Sequence, residues 1–153
     1  KQNAGKVENK GWDLTVSYND KIGNVDYKVT GVLSDVLNKI TDLGGLNPQV
    51  SGNHVNMVGE PINALYGYLA DGYFSSFTEA RASTVKQWGK LQGGDIKYID
   101  VNGNGSMDGG DRQVIGNVIP RWTYSLDLYA AYKGFEVSAF FQGVGKRDSY
   151  MAG

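Results

Sequence analysis

The sequence predicts an all-β protein built from antiparallel strands. Four runs of strictly alternating apolar and polar residues favour this class, and no apolar run approaches the roughly 20 residues that a membrane-spanning helix needs. Composition agrees, since the 153 residues include 22 Gly and 10 Tyr but only 3 Pro and 5 Phe. Such a bias favours turns and amphipathic aromatic side chains.

The first two alternating runs predict a β-hairpin. One strand is expected over residues 12–19 and the next over residues 25–33. Asp20, Gly23 and Asn24 lie in the join, where such residues favour a turn. The period of two puts the apolar residues of both runs on one face. That face holds Trp12, Leu14, Val16 and Tyr18 from the first run and Val25, Tyr27, Val29 and Leu33 from the second.

The last two runs predict a second hairpin with a very tight turn. Strands are expected over residues 122–132 and 135–143, joined at Lys133-Gly134. The alternation again separates an apolar face from a polar one. The apolar face holds Trp122, Tyr124, Leu126, Leu128, Tyr132, Phe135, Val137, Ala139 and Phe141.

Two kinds of sheet give this alternation. An ordinary antiparallel sheet with one buried face does so, and the periodicity alone favours it. A transmembrane β-barrel does so too, and runs of about 8 to 11 residues that end in aromatic side chains match its tilted strands and aromatic girdles. In a barrel, one set of residues faces lipid and the other faces the lumen. The lipid-facing set is Leu14, Val16, Val29, Leu126, Leu128, Val137 and Ala139, and the lumen-facing set is Thr15, Thr30, Ser125 and Ser138.

A long insertion, from about residue 34 to residue 120, separates the hairpins. Short turns on one side and a long connection on the other are typical of a barrel, in which the long loop lies outside the cell. Ser76 to Glu79 has the form of a helix capping box, which predicts a short helix from Phe77 to about Trp88. No linker or internal repeat divides the chain into two domains.

The residues from Asp100 to Asp111 match the twelve-position calcium loop at positions 1, 3, 5, 6 and 12. Calcium needs six to eight oxygen ligands, so polar side chains alternate, and the glycine at position six permits a sharp turn. Asp at position twelve replaces the usual Glu, so the expected affinity is modest. The candidate ligands are Asp100, Asn102, Asn104, the Ser106 carbonyl, Asp108 and Asp111.

The alternative for this loop is an Asx-rich turn that closes on its own backbone without a metal, because Asn, Asp and Gly fill turns for their own reasons. The five matched positions favour a structural calcium ion over that alternative. The flanking residues read as strands, since Asp95 to Ile99 alternates and Val114 to Gly116 is short and apolar. We therefore expect a strand-bordered ion site and not a helical sensor hand.

Several function classes have no support in the sequence. Fifteen basic and 16 acidic residues give a formal charge of −1 without a basic patch, so nucleic acid is not an expected partner. No nucleophile elbow or nucleotide-binding glycine motif is present, so the chain is predicted not to be an enzyme. The absence of cysteine excludes disulfides and thiolate metal sites. With no initiator Met and no export segment, the sequence is expected to start inside a longer protein.

Four strings of sequence occur in a specific order and cover nearly the whole chain. They run from Asn3 to Leu14, from Gly59 to Ile62, from Tyr66 to Phe74 and from Gly94 to Pro120. In order and spacing they resemble the later part of the barrel in the SusC/RagA family of TonB-linked outer-membrane transporters of Bacteroidetes.

This resemblance implies four barrel strands, in two hairpins, of an incomplete transmembrane barrel embedded in outer-membrane lipid. The implied function of the full protein is TonB-dependent import of oligosaccharides or peptides under a SusD-like surface lipoprotein. TonB would act through a part of the protein that this chain lacks, and four strands alone cannot close a barrel. The alternative function is that of a soluble, calcium-stabilised β domain that binds a ligand or a protein.

Overall fold

A computed structural model describes residues 5–151, so Asn3 and Ala4 of the first string lie outside the described residues. The chain is nearly all β, with one short helix and one 3₁₀ turn over Gly109–Asp111 in the described part. In chain order the elements are β1 (Lys6–Ile22), β2 (Val25–Asp42), β3 (Gln49–Ser51), β4 (His54–Asn56), β5 (Ala64–Gly67), β6 (Ala70–Tyr73), α1 (Phe77–Ala82), β7 (Ile96–Tyr98), β8 (Gln113–Gly116), β9 (Trp122–Tyr132) and β10 (Phe135–Gly145).

The two predicted hairpins combine into one four-stranded antiparallel sheet, the long sheet, in the order β1-β2-β9-β10. The all-β prediction is therefore confirmed. Register places Leu14 opposite Leu33, Val29 opposite Leu128, and Leu128 opposite Ala139. Since directly opposed residues share a face, the apolar residues of all four runs lie on one side of the sheet. The hydroxyls of Ser17 and Thr30 meet on the other side at 3.0 Å.

The long sheet extends past the predicted limits, most of all at the end near the insertion; at the other end β1 runs to Ile22 instead of residue 19. β9 has the predicted bounds, but β1 begins at Lys6 and β2 continues to Asp42, where the prediction put the start of the insertion near residue 34. Residues 34–42 do not alternate, so periodicity gave no strand signal. They are extended because the early part of β1 pairs with them, as in the bond from Asn38 Nδ2 to Asn9 Oδ1 at 2.7 Å.

The predicted helix begins at Phe77 as expected but ends at Ala82, six residues before Trp88. The Ser76 hydroxyl accepts from the Glu79 amide at 3.2 Å, and the Glu79 carboxylate bonds Ser75 in return. Ser83 ends the helix because its hydroxyl bonds the backbone of Val85 and its ψ angle of 130° is not helical. No helix among residues 5–151 is long and apolar enough to cross a membrane.

Residues 43–121, which we call the insertion, hold a second sheet (β3-β4-β5-β8), a two-stranded ribbon (β6-β7) and helix α1. The far end of β2 anchors them, because the Ile40 amide bonds the Glu60 carbonyl at 2.8 Å and Asn38 Oδ1 accepts from the Ile62 amide at 2.8 Å. The core lies here and at the far end of β2, and not on the alternating strand faces. Its buried apolar residues are Ile40, Val55, Ala64, Leu65, Phe74, Ala80 and Met107.

Candidate functional site: the Asp100–Asp111 loop

The Asp100–Asp111 loop joins the ribbon to the second sheet, since β7 precedes it and β8 follows it. It is bordered by strands, as the sequence predicts. Gly103 and Gly105 have positive φ angles of 70° and 81°. This conformation is costly for residues with a Cβ atom, which explains glycine at position six of the pattern.

Asp100 organises the first half of the loop. Its Oδ1 accepts from the amides of Gly103 at 2.8 Å and Asn104 at 3.2 Å, and its Oδ2 accepts from the amide of Gly105 at 2.6 Å. The two carboxylate oxygens thus satisfy three consecutive backbone donors. Removing this side chain would leave the amides of Gly103 and Gly105 without a side-chain acceptor in the loop.

Asn102, Asn104 and Asp108 form a connected polar group across the loop. Asn102 Oδ1 accepts from the Asn104 amide at 3.0 Å, and Asn104 Oδ1 accepts from the Ser106 amide at 2.8 Å. The Asn104 side-chain amide donates to Asp108 Oδ2 at 2.8 Å, and Asp108 Oδ1 accepts from the Gly110 amide at 2.7 Å. Each of these side chains therefore closes a local turn.

Asp111 is fully buried and closes the loop on itself. Its Oδ1 accepts from the amides of Val101 at 2.9 Å and Asn102 at 3.2 Å, and its Oδ2 accepts from the Asp108 amide at 2.8 Å. The bond from the Asp108 amide, with those from Asn102 and Val101, lowers the pKa of Asp111 against the opposing effect of burial. The carboxylate is therefore held ionised by backbone donors.

The loop also supports a neighbouring segment. The Lys86 amide donates to the Gly105 carbonyl at 2.9 Å, and the Met107 amide donates to the Lys86 carbonyl at 2.7 Å. Met107 is buried in the core of the insertion. The backbone around Ser106 is thus bridged to Lys86, so the shape of the loop fixes the position of the chain after helix α1.

The six predicted calcium ligands come together in this one loop. Their oxygens suit calcium by chemistry. The side-chain oxygens of the five Asp and Asn candidates, however, accept from N–H groups. In the part of the chain described, no group of three or more acidic or histidine side chains is arranged to hold a metal ion. This geometry is that of the hydrogen-bonded Asx turn, the alternative that the sequence left open. Calcium binding stays a prediction.

Sequence reasoning missed the ion pair between Arg121 and Asp35. Arg121 Nε donates to Asp35 Oδ1 at 2.8 Å, and Arg121 Nη2 donates to Asp35 Oδ2 at 3.1 Å. This bidentate geometry is typical of strong ion pairs. Asp35 lies between Trp12 and Trp122 in the register, and these rings meet edge to face at 6.0 Å. The sequence did hold a signal for this pair. Asp35 is an acidic residue in line with the apolar face of β2, and Arg121 directly precedes the second hairpin.

Arg112, directly after the loop, was also missed as a structural residue. Its guanidinium donates to the carbonyls of Gly52 at 2.6 Å and Tyr66 at 2.9 Å, and lies 4.6 Å from the centre of the Tyr66 ring. It therefore holds the end of the Asp100–Asp111 loop against the second sheet. The sequence showed it only as part of the fourth string.

Comparison with known proteins gives two curated relatives from Formosa agariphila. TonB-dependent receptor P26 is 33% identical over 158 residues, which cover 97% of this chain and 16% of the receptor. TonB-dependent receptor P3 is 26% identical over 153 residues, which cover 92% of this chain and 15% of that receptor. No family model matches the chain. The chain thus spans about one sixth of the length of these relatives.

Proposed function

Because the chain is related over nearly its whole length to a segment of TonB-dependent receptors, we propose that it forms part of a SusC/RagA-type importer in a Gram-negative outer membrane. In this proposal the long sheet is a section of the barrel and the insertion lies outside the cell. The cargo is an oligosaccharide or a peptide. A SusD-like lipoprotein covers the entrance, and TonB acts on another part of the receptor.

The observation that carries the proposal is the uncovered apolar face of the long sheet. The contacts of its strands are mainly with each other, and no layer of the described chain packs over them. Val16 is 60% exposed and Val137 is 69% exposed. A continuous apolar face of this size in water would drive association, whereas a bilayer covers it at no cost.

The same observation weakens the alternative of a soluble calcium-stabilised β domain. Such a domain needs one sheet face buried in its own core. The buried apolar residues of the described chain lie in the insertion and at the far end of β2, away from the alternating faces. The relatives are named receptors, so the expectation that the chain has no catalytic role remains part of the proposal.

Calcium enters the proposal as a stabiliser of the Asp100–Asp111 loop and not as a catalyst. Asp100, Asp108 and Asp111 place three carboxylates in one short loop, and their mutual repulsion favours a cation. Binding would require the side chains of Asn102 and Asn104 to turn their oxygens inward and give up bonds to backbone amides.

Spin labels on the full-length receptor in lipid bilayers test the orientation of the strands. Labels at Leu126 and Val137 should report lipid, and labels at the matched positions Ser125 and Ser138 should report water. The reverse pattern would mean that the opposite face of the long sheet meets the lipid.

Uptake by cells that express the full-length receptor tests the transport function. A labelled oligosaccharide or peptide should accumulate only while the inner membrane is energised, and an uncoupler should stop it. Co-purification of a surface lipoprotein with the receptor tests the proposed lid. Fractionation that places the receptor outside the outer membrane would overturn the proposal.

A further inference from the structure

A groove of about 500 Å³ lies beside helix α1 and the chain that follows it. We call it the basic groove. Arg81, Lys86 and Lys90 line it, and none of its lining residues is acidic. Apolar side chains, among them Phe77 and Leu91, make up much of the remaining lining.

The three cations are free for a ligand. Among residues 5–151 no ion pair and no side-chain hydrogen bond involves Arg81, Lys86 or Lys90. The guanidinium of Arg81 lies 5.6 Å from the centre of the Phe77 ring, which leaves its N–H groups without an acceptor. The groove therefore concentrates three positive charges with no anion of its own, and it attracts negative groups.

The nearest acidic residue in sequence does not neutralise this charge. Glu79, also on helix α1, bonds Lys97 and Ser75. Its bond with Lys97, followed by those from Ser75, lowers its pKa to about 2. The charges of Glu79 and Lys97 therefore neutralise each other, and the charge of Arg81 is left uncompensated.

A second groove of about 490 Å³ lies next to the first, and Gln87 and Leu91 line both. Tyr73, Trp88 and Tyr98 line this second groove, and so does Asp95, whose Oδ2 accepts from the Gln92 amide at 2.8 Å. Trp88 packs edge to face against Tyr98 at 5.7 Å but remains 53% exposed. Flat aromatic surface of this kind packs against the apolar C–H face of a sugar ring, which removes both surfaces from water.

We propose that the basic groove binds an anionic oligosaccharide, whose carboxylate or sulfate groups are held by Arg81, Lys86 and Lys90 while a neighbouring sugar ring packs on Trp88. This inference rests on the proposed import function and narrows its substrate class. Arg81 supplies a planar fork that matches a carboxylate or sulfate, and the two lysines supply point charges. Every unit of a saccharide carries a ring with an apolar C–H face, whereas only some residues of a peptide carry a ring, so the pairing of cations with an aromatic surface favours the sugar.

The Asp100–Asp111 loop holds this site in place. Lys86 is bonded on both sides to the loop, through the Gly105 carbonyl and the Met107 amide. Gly89, with a φ angle of 77°, makes the turn that separates Trp88 from Lys90. The backbone that carries Lys86, Trp88 and Lys90 is thus fixed before a ligand arrives, which lowers the entropy cost of binding.

Titration calorimetry on the purified full-length receptor tests the groove. The probes are tetragalacturonate, its methyl ester, and a sulfated galactose tetrasaccharide with its desulfated form, so that carboxylate and sulfate are tested separately. At least one acidic probe should bind at least tenfold more tightly than its neutral counterpart. The double change Arg81→Gln with Lys90→Gln should weaken that binding at least tenfold, since each lost charge-assisted bond contributes about a factor of ten.

The matched control is the double change Lys39→Gln with Arg147→Gln, which removes the same charge from exposed positions outside the groove. It should change the affinity less than twofold. Trp88→Ala should weaken binding of the acidic saccharide but leave the affinity for inorganic sulfate unchanged. Equal binding of acidic and neutral probes would overturn the proposal, as would equal effects of the two double changes or a hexaglutamate peptide that binds as tightly as the saccharide.

The import function is tested apart from the groove. Suppose that the double variant Arg81→Gln, Lys90→Gln binds the acidic probes as tightly as the native receptor, and that both receptors show energised uptake. The groove proposal then fails and the importer proposal stands. If no energised uptake occurs although the acidic probes bind selectively, the importer fails and the groove stands as a binding site.

Discussion

The long sheet and the insertion bury apolar side chains in opposite ways. In the long sheet the apolar residues share one face that nothing in the described chain covers. In the insertion, residues such as Val55 and Leu65 are buried by their own neighbours. One stretch of chain therefore supplies its own core while the other needs an apolar surrounding from outside, and the boundary between them falls near Asp35.

The residues at that boundary are polar. Asp35 bonds Arg121, and Asn38 bonds both Asn9 and the amide of Ile62. Polar contacts of this kind position the insertion on the strand ends without adding apolar surface. Alternation thus describes only the long sheet, whereas side-chain and backbone hydrogen bonds at the far end of β2 hold the insertion on it.

The largest expected effect comes from a charge on the apolar face. Leu126→Arg should destabilise the folded receptor in bilayers by about 2–4 kcal/mol, because a cation near the bilayer midplane loses its hydration. Urea titration of the receptor in lipid vesicles, followed by the gel mobility shift of the folded barrel, measures it. The control Ser125→Arg, one residue away on the polar face, should have little effect. Equal losses would mean that the two faces do not differ in surroundings.

The core of the insertion should respond to a change that leaves the long sheet intact. Phe74→Ala should destabilise the insertion by about 3 kcal/mol, because Phe74 is only 5% exposed and its loss leaves a cavity. Amide hydrogen exchange should rise in residues 64–111 and stay unchanged in β9 and β10. The control Phe77→Ala removes the same side chain where it is 58% exposed and should have a much smaller effect. Loss of protection in both regions would show one cooperative unit.

Calcium should protect the Asp100–Asp111 loop from proteolysis. Cleavage near residues 103–110 of the detergent-solubilised receptor should be faster in chelator than in calcium, and magnesium should protect less because it keeps its waters and prefers rigid octahedral geometry. Asp100→Ala should remove the difference and raise cleavage in both conditions, since it frees the amides of Gly103 and Gly105. If calcium does not change the native rate, the loop acts only as a hydrogen-bonded turn.

The smallest expected effect is a pH dependence of the insertion. Glu79 has a pKa lowered to about 2 by Lys97 and Ser75, and the pKa of Asp111 is lowered by the amides around it. A carboxylate whose pKa is lowered in the folded state stabilises the fold at pH values above its ordinary pKa. This stabilisation is lost as the pH falls toward the pKa of the folded state. Amide exchange near α1, corrected for its intrinsic pH dependence, should therefore rise between about pH 4.5 and pH 2. Glu79→Gln should flatten this rise, and Glu60→Gln should not.

The sequence was sufficient where the pattern was local. Alternation gave the bounds of β9 and the shared face of the four runs, because side chains point to opposite faces with a period of two. Turn residues gave Lys133-Gly134, but Asp20, expected in the first join, lies inside β1. The sequence also placed the six predicted calcium ligands in one loop, because all of them lie within twelve consecutive residues rich in glycine. What closes the loop, a cation or backbone amides, is not visible in the residue types, because both use the same oxygens.

Tertiary structure decided the rest. The strand state of residues 34–42 depends on pairing with β1, and helix α1 ends at Ala82 because Ser83 bonds the backbone of Val85. The pairing of Asp35 with Arg121, 86 residues away, and the meeting of Arg81, Lys86 and Lys90 at one groove both need the folded insertion. A period in the sequence records only which face a residue takes, whereas a contact between distant residues exists only once the chain has brought their elements together.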